Sequence, residues 1–109
     1  MKILALEKEV RLSQPADTQP YLAEEAARVY ELYQAGVVRE IYFNAAAHTA
    51  VLILECADAD EARLALDSLP LVRAGLSTFE VIPLVPYPGF GRLFRAGSPK
   101  TPIPPGGSR

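Results

Sequence analysis

Cysteine and histidine occur once each in this chain, at Cys56 and His48, and its glycines are not clustered before the C-terminal tail. A lone cysteine cannot close an intrachain disulfide and fits a reducing compartment, so the cytoplasm is the expected location. A single histidine, with no H-x-x-x-H spacing around it, gives no metal site to read. G-x-S-x-G is missing too, and His48 lies far along the chain from any partner for a nucleophilic triad. Without a glycine-rich turn there is no cradle for a nucleotide phosphate, and no cofactor is expected. Basic residues are scattered, and the net charge is −2, which argues against a nucleic-acid partner. No apolar run approaches membrane-spanning length. The opening MKILALEKEV is too short and too charged for a signal peptide.

What is present is the material of one globular domain. Of 109 residues, half are hydrophobic and 22% are charged, enough for a single core. The apolar run KILALEK, Lys2 to Lys8, reads as a strand. A first helix is expected from Asp17 or Thr18, with Pro20 in its first turn, where a missing N–H costs nothing. Leu22, Ala26, Val29 and Tyr33 repeat at helical spacing and mark a buried stripe. Glu24 and Glu25 lie toward the positive end of the helix dipole, and Gly36 caps the other end. VVREIYF, Val37 to Phe43, is β-branched and aromatic, a strand. NAAAHT turns the chain, and AVLILEC, Ala50 to Cys56, is a nearly continuous apolar strand, the kind found at a sheet centre. Asp58 can cap a second helix with Glu61 three residues on. Its stripe is Ala62, Ala65, Leu66 and Leu69, and Pro70 stops it. Ser77 to Leu84 is the last strand.

The order β-α-β-β-α-β at this length predicts an α+β, ferredoxin-like fold: a four-stranded antiparallel sheet with both helices on one face. Pairing Phe43 with Val51 puts Arg39, Ile41 and Phe43 on one face with Val51, Ile53 and Glu55. Val38, Glu40 and Tyr42 then share the other face with Leu52, Leu54 and Cys56. Both faces are mostly apolar, and a large exposed apolar face is rare in a monomer. A second copy packing sheet to sheet covers it, so a homodimer is expected. Pro83, Pro86, Pro88 and Gly89 end the pairing of the last strand. They release an arm, 85–94, whose Tyr87, Phe90, Leu93 and Phe94 can anchor on a neighbouring subunit. The domain is therefore read as 1–94, followed by a Pro/Gly-rich tail, 95–109, expected to be flexible.

The segments LYQAGVVREIYF, Leu32 to Phe43, and SLPLVRAGLSTFEVIPLVPYPGF, Ser68 to Phe90, together with Glu55 ending the third strand, resemble the muconolactone isomerase family of dimeric α+β barrels. The resemblance rests on Ala35-Gly36, Arg39, Leu69-Pro70-Leu71 and Glu80-Val81-Ile82-Pro83-Leu84 in that order. It implies the sheet-to-sheet dimeric barrel, larger rings of dimers, and a small enzyme working without metal or cofactor. Two departures stand out: Glu40, Tyr42 and Phe43 replace a stretch richer in His, Trp and Arg, and Pro86-Tyr87-Pro88 replaces a His-Pro.

The residues suited to chemistry are Arg39, Glu55, Tyr42 and His48. In the register above Arg39 and Glu55 face each other, either as a salt bridge or as an anion holder beside a base whose pKa balances desolvation against the guanidinium. Tyr42 can donate to a developing oxyanion. His48 can act as a base if the hairpin tip folds over a pocket mouth. Cys56, with no basic neighbour, reads as a core residue. Two classes of function follow. One is proton transfer on a lactone-like or enolisable small molecule, with cofactor-free oxygenation of aromatic polyketides as the enzyme alternative. The other is a non-catalytic ligand-binding or assembly module. The expected partners are a second copy of the chain and a small-molecule ligand, with neither nucleic acid nor membrane.

Overall fold

Proline and glycine set the element boundaries of the computed structural model, which describes residues 1–10 and 14–94. β1 is Lys2–Glu9. A helical stretch follows, made of α1 (Pro15–Thr18), a 3-10 turn (Gln19–Tyr21) and α2 (Leu22–Gln34). Then come β2 (Val38–Phe43), β3 (Ala50–Glu55), α3 (Ala59–Asp67), α4 (Pro70–Arg73), β4 (Ser77–Pro83) and a closing 3-10 turn, Gly89–Leu93. The four strands form one antiparallel sheet in the order β2-β3-β1-β4. This is the ferredoxin-like α+β arrangement expected from the sequence. The segment expected to be a tail, 95–109, lies outside the described residues.

The helical stretch begins earlier than the sequence suggests. Pro15 occupies the first turn, and the Asp17 carboxylate accepts the Gln14 amide at 2.7 Å, so α1 has its own start. Pro20 then breaks the run, because it has no N–H to give the α ladder, and the chain tightens into a 3-10 turn before α2. Gly36 (φ +81°) ends α2, with its own N–H bonded to Tyr33 and that of Val37 to the Leu32 carbonyl. Asp58 caps α3 by accepting the Glu61 amide at 2.8 Å, as its position predicts. Pro70 does not simply stop α3: it opens α4, whose last turn closes at Gly75 (φ +76°).

The hairpin register differs from the expected one by a residue. Phe43 pairs with Ala50, Tyr42 with Val51 and Ile41 with Leu52, and an irregularity between Val38 and Glu40 lets Val38 pair with Leu54. A one-residue slip exchanges faces. Ile41 and Phe43 therefore point with Leu52 toward the helices, while Glu40 and Tyr42 share the open face with Val51 and Ile53. The bulge sits at Arg39, which absorbs the extra residue at the edge of the sheet.

Ile3 and Ala5 of β1, Leu52 and Leu54 of β3 and Phe79 of β4 form the helix face, packed against Leu32, Ala62, Leu66 and Leu69. Cys56 joins this core, and burial pushes its thiol pKa up. β3 and β1 are central, and β4 is an edge strand where Pro83 costs no interior ladder bond. The other face presents Leu4, Leu6, Val51, Ile53 and Ile82, all half-buried, and none of the described helices packs across it. Beyond β4 the arm folds on itself. The rings of Tyr87 and Phe90 meet edge to face at 5.1 Å, over a buried Gly89 whose Cβ would fall 1.9 Å from the Tyr87 hydroxyl. Among the described residues no helix is long and apolar enough to cross a membrane.

Candidate functional site

The α2 stripe that periodicity marks as buried lines an open cleft instead. Of the thirteen residues of α2, only Leu32 is buried, whereas Leu22 is 44% and Tyr33 56% exposed. Leu22, Ala26, Val29 and Tyr33 form one wall of a cleft of about 660 Å³ between helix and sheet. Ile41, Phe43 and Leu52 form the opposite wall, and Leu69 and Leu71 close one side. The register places Ile41 and Phe43 on this face, where α2 does not reach far enough across β2 to cover them.

Two carboxylates enter this apolar space, Glu7 from β1 and Glu25 from α2. Glu7 is held at both oxygens: Oε1 accepts the Ala50 amide at 2.7 Å, and Oε2 accepts the Ser77 hydroxyl. Glu25 is held at one, where Oε1 accepts the Leu71 amide at 2.9 Å. Burial raises the Glu25 pKa above the ordinary carboxylate value. The Leu71 hydrogen bond opposes that shift, and the negative charge of Glu7 adds to it. The result is one carboxylate fixed by protein donors beside another that retains its proton to higher pH. Tyr30 and Tyr33, stacked at 6.4 Å between ring centroids, complete the α2 wall.

The residues singled out from the sequence lie elsewhere, with one exception. Arg39 donates from Nε to the Gly36 carbonyl at 2.7 Å, and Glu55 pairs with the Met1 amino group at 2.5 Å, so they form no direct pair. The bulge removes the cross-strand register that would have placed them opposite each other. Glu55 is held below the usual carboxylate range chiefly by that amino group, with Arg39 a lesser contributor. Tyr42 donates to Glu40 at 2.7 Å on the edge strand, and this bond raises the phenol pKa. His48 sits at positive φ (56°) in a hairpin loop shaped by Asn44, whose side chain accepts the Ala46 and Ala47 amides. It lines a neighbouring depression that shares Glu7, Leu22, Phe43 and Leu71 with the main cleft.

The sequence carries a signal for each of Glu7 and Glu25. Glu7 follows Ile3 and Ala5 at a spacing of two, which puts a charge on the core face of β1. Glu25 falls between Leu22 and Val29 at helical spacing, inside the apolar stripe.

Comparison with known proteins gives a consistent result. The sequence profile of muconolactone delta-isomerase matches residues 6–89. The fold superimposes on a crystal structure of muconolactone isomerase with a TM-score of 0.66 and 21% identity, covering 81% of this chain and 92% of that one. It also superimposes on 5-chloro-2-hydroxyhydroquinone dehydrochlorinase from Burkholderia phenoliruptrix in complex with 2,5-dihydroxybenzoquinone. There the TM-score is 0.62 with 18% identity, over 82% of this chain and 98% of that one. No curated protein sequence matches at a comparable level.

Proposed function

The chain belongs to the muconolactone delta-isomerase family, and from that premise we propose that it moves a proton on a lactone-like or enolisable small molecule bound between α2 and the sheet. The observation that supports this reading is Glu25: a half-buried carboxyl, raised in pKa, facing an apolar cleft that has room for a ring-sized ligand. One oxygen is held by the Leu71 amide, which leaves Oε2 to act.

In the forward step Glu25 takes a hydrogen from a carbon next to a carbonyl. The C–H bond breaks, its electron pair passes into an enolate, and the proton rests on the carboxyl. Return of that proton to another carbon of the conjugated enolate completes an isomerisation, with no change in oxidation state and no co-reactant. Tyr30 and Tyr33 line the same cleft, and a phenol hydroxyl there can donate to the enolate oxygen. His48, in the depression that adjoins the cleft, is the nearest imidazole to carry the proton to water. General base catalysis of this kind contributes roughly a hundredfold to ten-thousandfold. Glu25→Gln keeps the Leu71 hydrogen bond and removes the base. The expected result is loss of turnover by at least about a hundredfold with the fold intact; unchanged turnover would retire Glu25 as the base.

The open sheet face supports a second element of the proposal, a homodimer built sheet to sheet. Leu4, Leu6, Val51, Ile53 and Ile82 form a continuous apolar patch, edged by the Lys8–Glu80 pair and by Glu55. On this reading Arg39, Tyr42 and Glu55 serve the sheet face and its margins rather than the cleft. The arm anchors Tyr87, Phe90, Leu93 and Phe94 are each at least half exposed and are free to engage the second copy.

A further inference from the structure

We propose that Glu7 is a positioning residue of this site: a clamped carboxylate whose negative charge governs when Glu25 releases its proton. The proposal deepens the proton-transfer reading of the cleft and rests on it. Glu7 follows Ile3 and Ala5 on the helix face of β1, where a charge without partners would be costly. Two donors hold it there. The β1–β3 ladder ends at Leu6 and Val51, and the hairpin closes with the Asn44 amide on the Thr49 carbonyl. That alternation turns the Ala50 amide away from β2 and toward β1, just past the last ladder pair. Glu7 Oε1 accepts it at 2.7 Å. Oε2 accepts the hydroxyl of Ser77, the buried first residue of β4. One side chain thus ties the starts of β3 and β4 to β1. Two donated hydrogen bonds suit an ionised carboxylate, which is acceptor-only.

Glu25 lines the same cleft from α2. Burial is the larger cause of its raised pKa, the Leu71 hydrogen bond works against it, and the charge of Glu7 adds to it. A carboxylate of higher pKa is the stronger base toward a weakly acidic C–H. The other charged groups around α2 have their own settings. Arg28 pairs with Glu31, Arg39 donates to the Gly36 carbonyl, and Glu40 accepts from Tyr42. Arg73 of α4 lines a separate depression with Glu24. His48 and Glu9 line the neighbouring depression that Glu7 also borders.

The test is carbon-detected NMR titration of the glutamate side-chain carboxyls in the full chain. Glu7→Gln keeps an oxygen for the Ala50 amide and offers Ser77 Oγ an N–H, so the clamp survives and the charge goes. The Glu25 midpoint should then move to lower pH. Glu7→Asp, which keeps the charge, should leave it near the wild-type position. Asp60→Asn, which removes an exposed charge from α3, should not move it. A Glu25 midpoint unmoved by Glu7→Gln, or moved equally by Glu7→Asp, overturns the proposal. Isomerisation of α-angelica lactone is followed on the same proteins. This lactone loses a proton next to its carbonyl and regains one at the far end of the conjugated enolate. The rising limb of its pH–rate profile should move to lower pH in Glu7→Gln, together with the Glu25 midpoint. The titration needs no substrate, which separates the two readings. A shifted Glu25 midpoint with no isomerisation by the wild type leaves the role of Glu7 standing and removes Glu25 as the base for such a lactone.

Discussion

The Leu71 amide donates to Glu25 Oε1 at 2.9 Å, joining the first turn of α4 to the first turn of α2 across 46 residues of sequence. That bond fixes one carboxylate oxygen of a residue that lines the cleft. It also opposes the upward pKa shift that burial and Glu7 impose. The wall of the site is thereby tied to the Leu-Pro-Leu segment, Leu69 to Leu71, that ends the α3–α4 corner.

The raised pKa of Glu25 makes stability depend on pH in a definite direction. The folded chain holds this proton to higher pH than the unfolded chain does. The stability that protonation confers is therefore complete below the ordinary glutamate value and is lost as pH rises through the raised one. Glu25→Gln removes this contribution while keeping an acceptor for the Leu71 amide. Urea melts should show the variant gaining on the wild type between about pH 4 and neutrality. A difference that stays flat across that range would place the carboxyl in an unperturbed environment.

Gly36 and Gly75 should tolerate alanine poorly although there is space for it. At Gly36 a Cβ would meet only Arg39 atoms at ordinary contact distance, and at Gly75 nothing lies within 4 Å, but φ is +81° and +76°. The cost is conformational, about 1–2 kcal/mol at each site. Gly91, without positive φ and with open space around it, is the control and should change little on replacement by alanine. Denaturant midpoints of the three variants check the ordering.

Leu54 is 1% exposed at the centre of the sheet and packs within the core cluster of Leu52, Leu66 and Leu69. Leu54→Ala removes three methyl or methylene equivalents from a site closed on all sides, and about 2–5 kcal/mol of unfolding free energy should be lost. Chemical denaturation measures it, and a loss below 1 kcal/mol would mean that the core collapses around the vacancy.

Ile53 lies on the open face, paired with Leu4 on one side and Glu40 on the other. Ile53→Lys places a charge at the centre of the apolar patch without touching the helix-side core. Sedimentation should then report the 11.8 kDa chain where the wild type sediments as a dimer or larger. A wild type that already runs as the single chain would show that the face stays uncovered.

The sequence alone determined the order of elements, because its signals are local. Strand runs are β-branched or continuously apolar, Asp58 can cap a helix, Gly36 can reach left-handed φ, and Pro83 belongs at an edge. Those preferences act within a few residues, and the ferredoxin-like topology follows from their order. Only tertiary structure decided which charges matter. The register of β2 against β3 turns on a bulge at Arg39, and that one residue exchanges the faces of Ile41, Tyr42 and Phe43 and separates Arg39 from Glu55. The α2 stripe is apolar whether it fills a core or lines a cleft, since periodicity reports which side is apolar and not whether anything fills it. Glu7 and Glu25 stand eighteen positions apart in the chain and come together only because β1 and α2 pack across the same cleft. The shift in the Glu25 pKa comes from burial and from a neighbour's charge, both properties of the assembled chain.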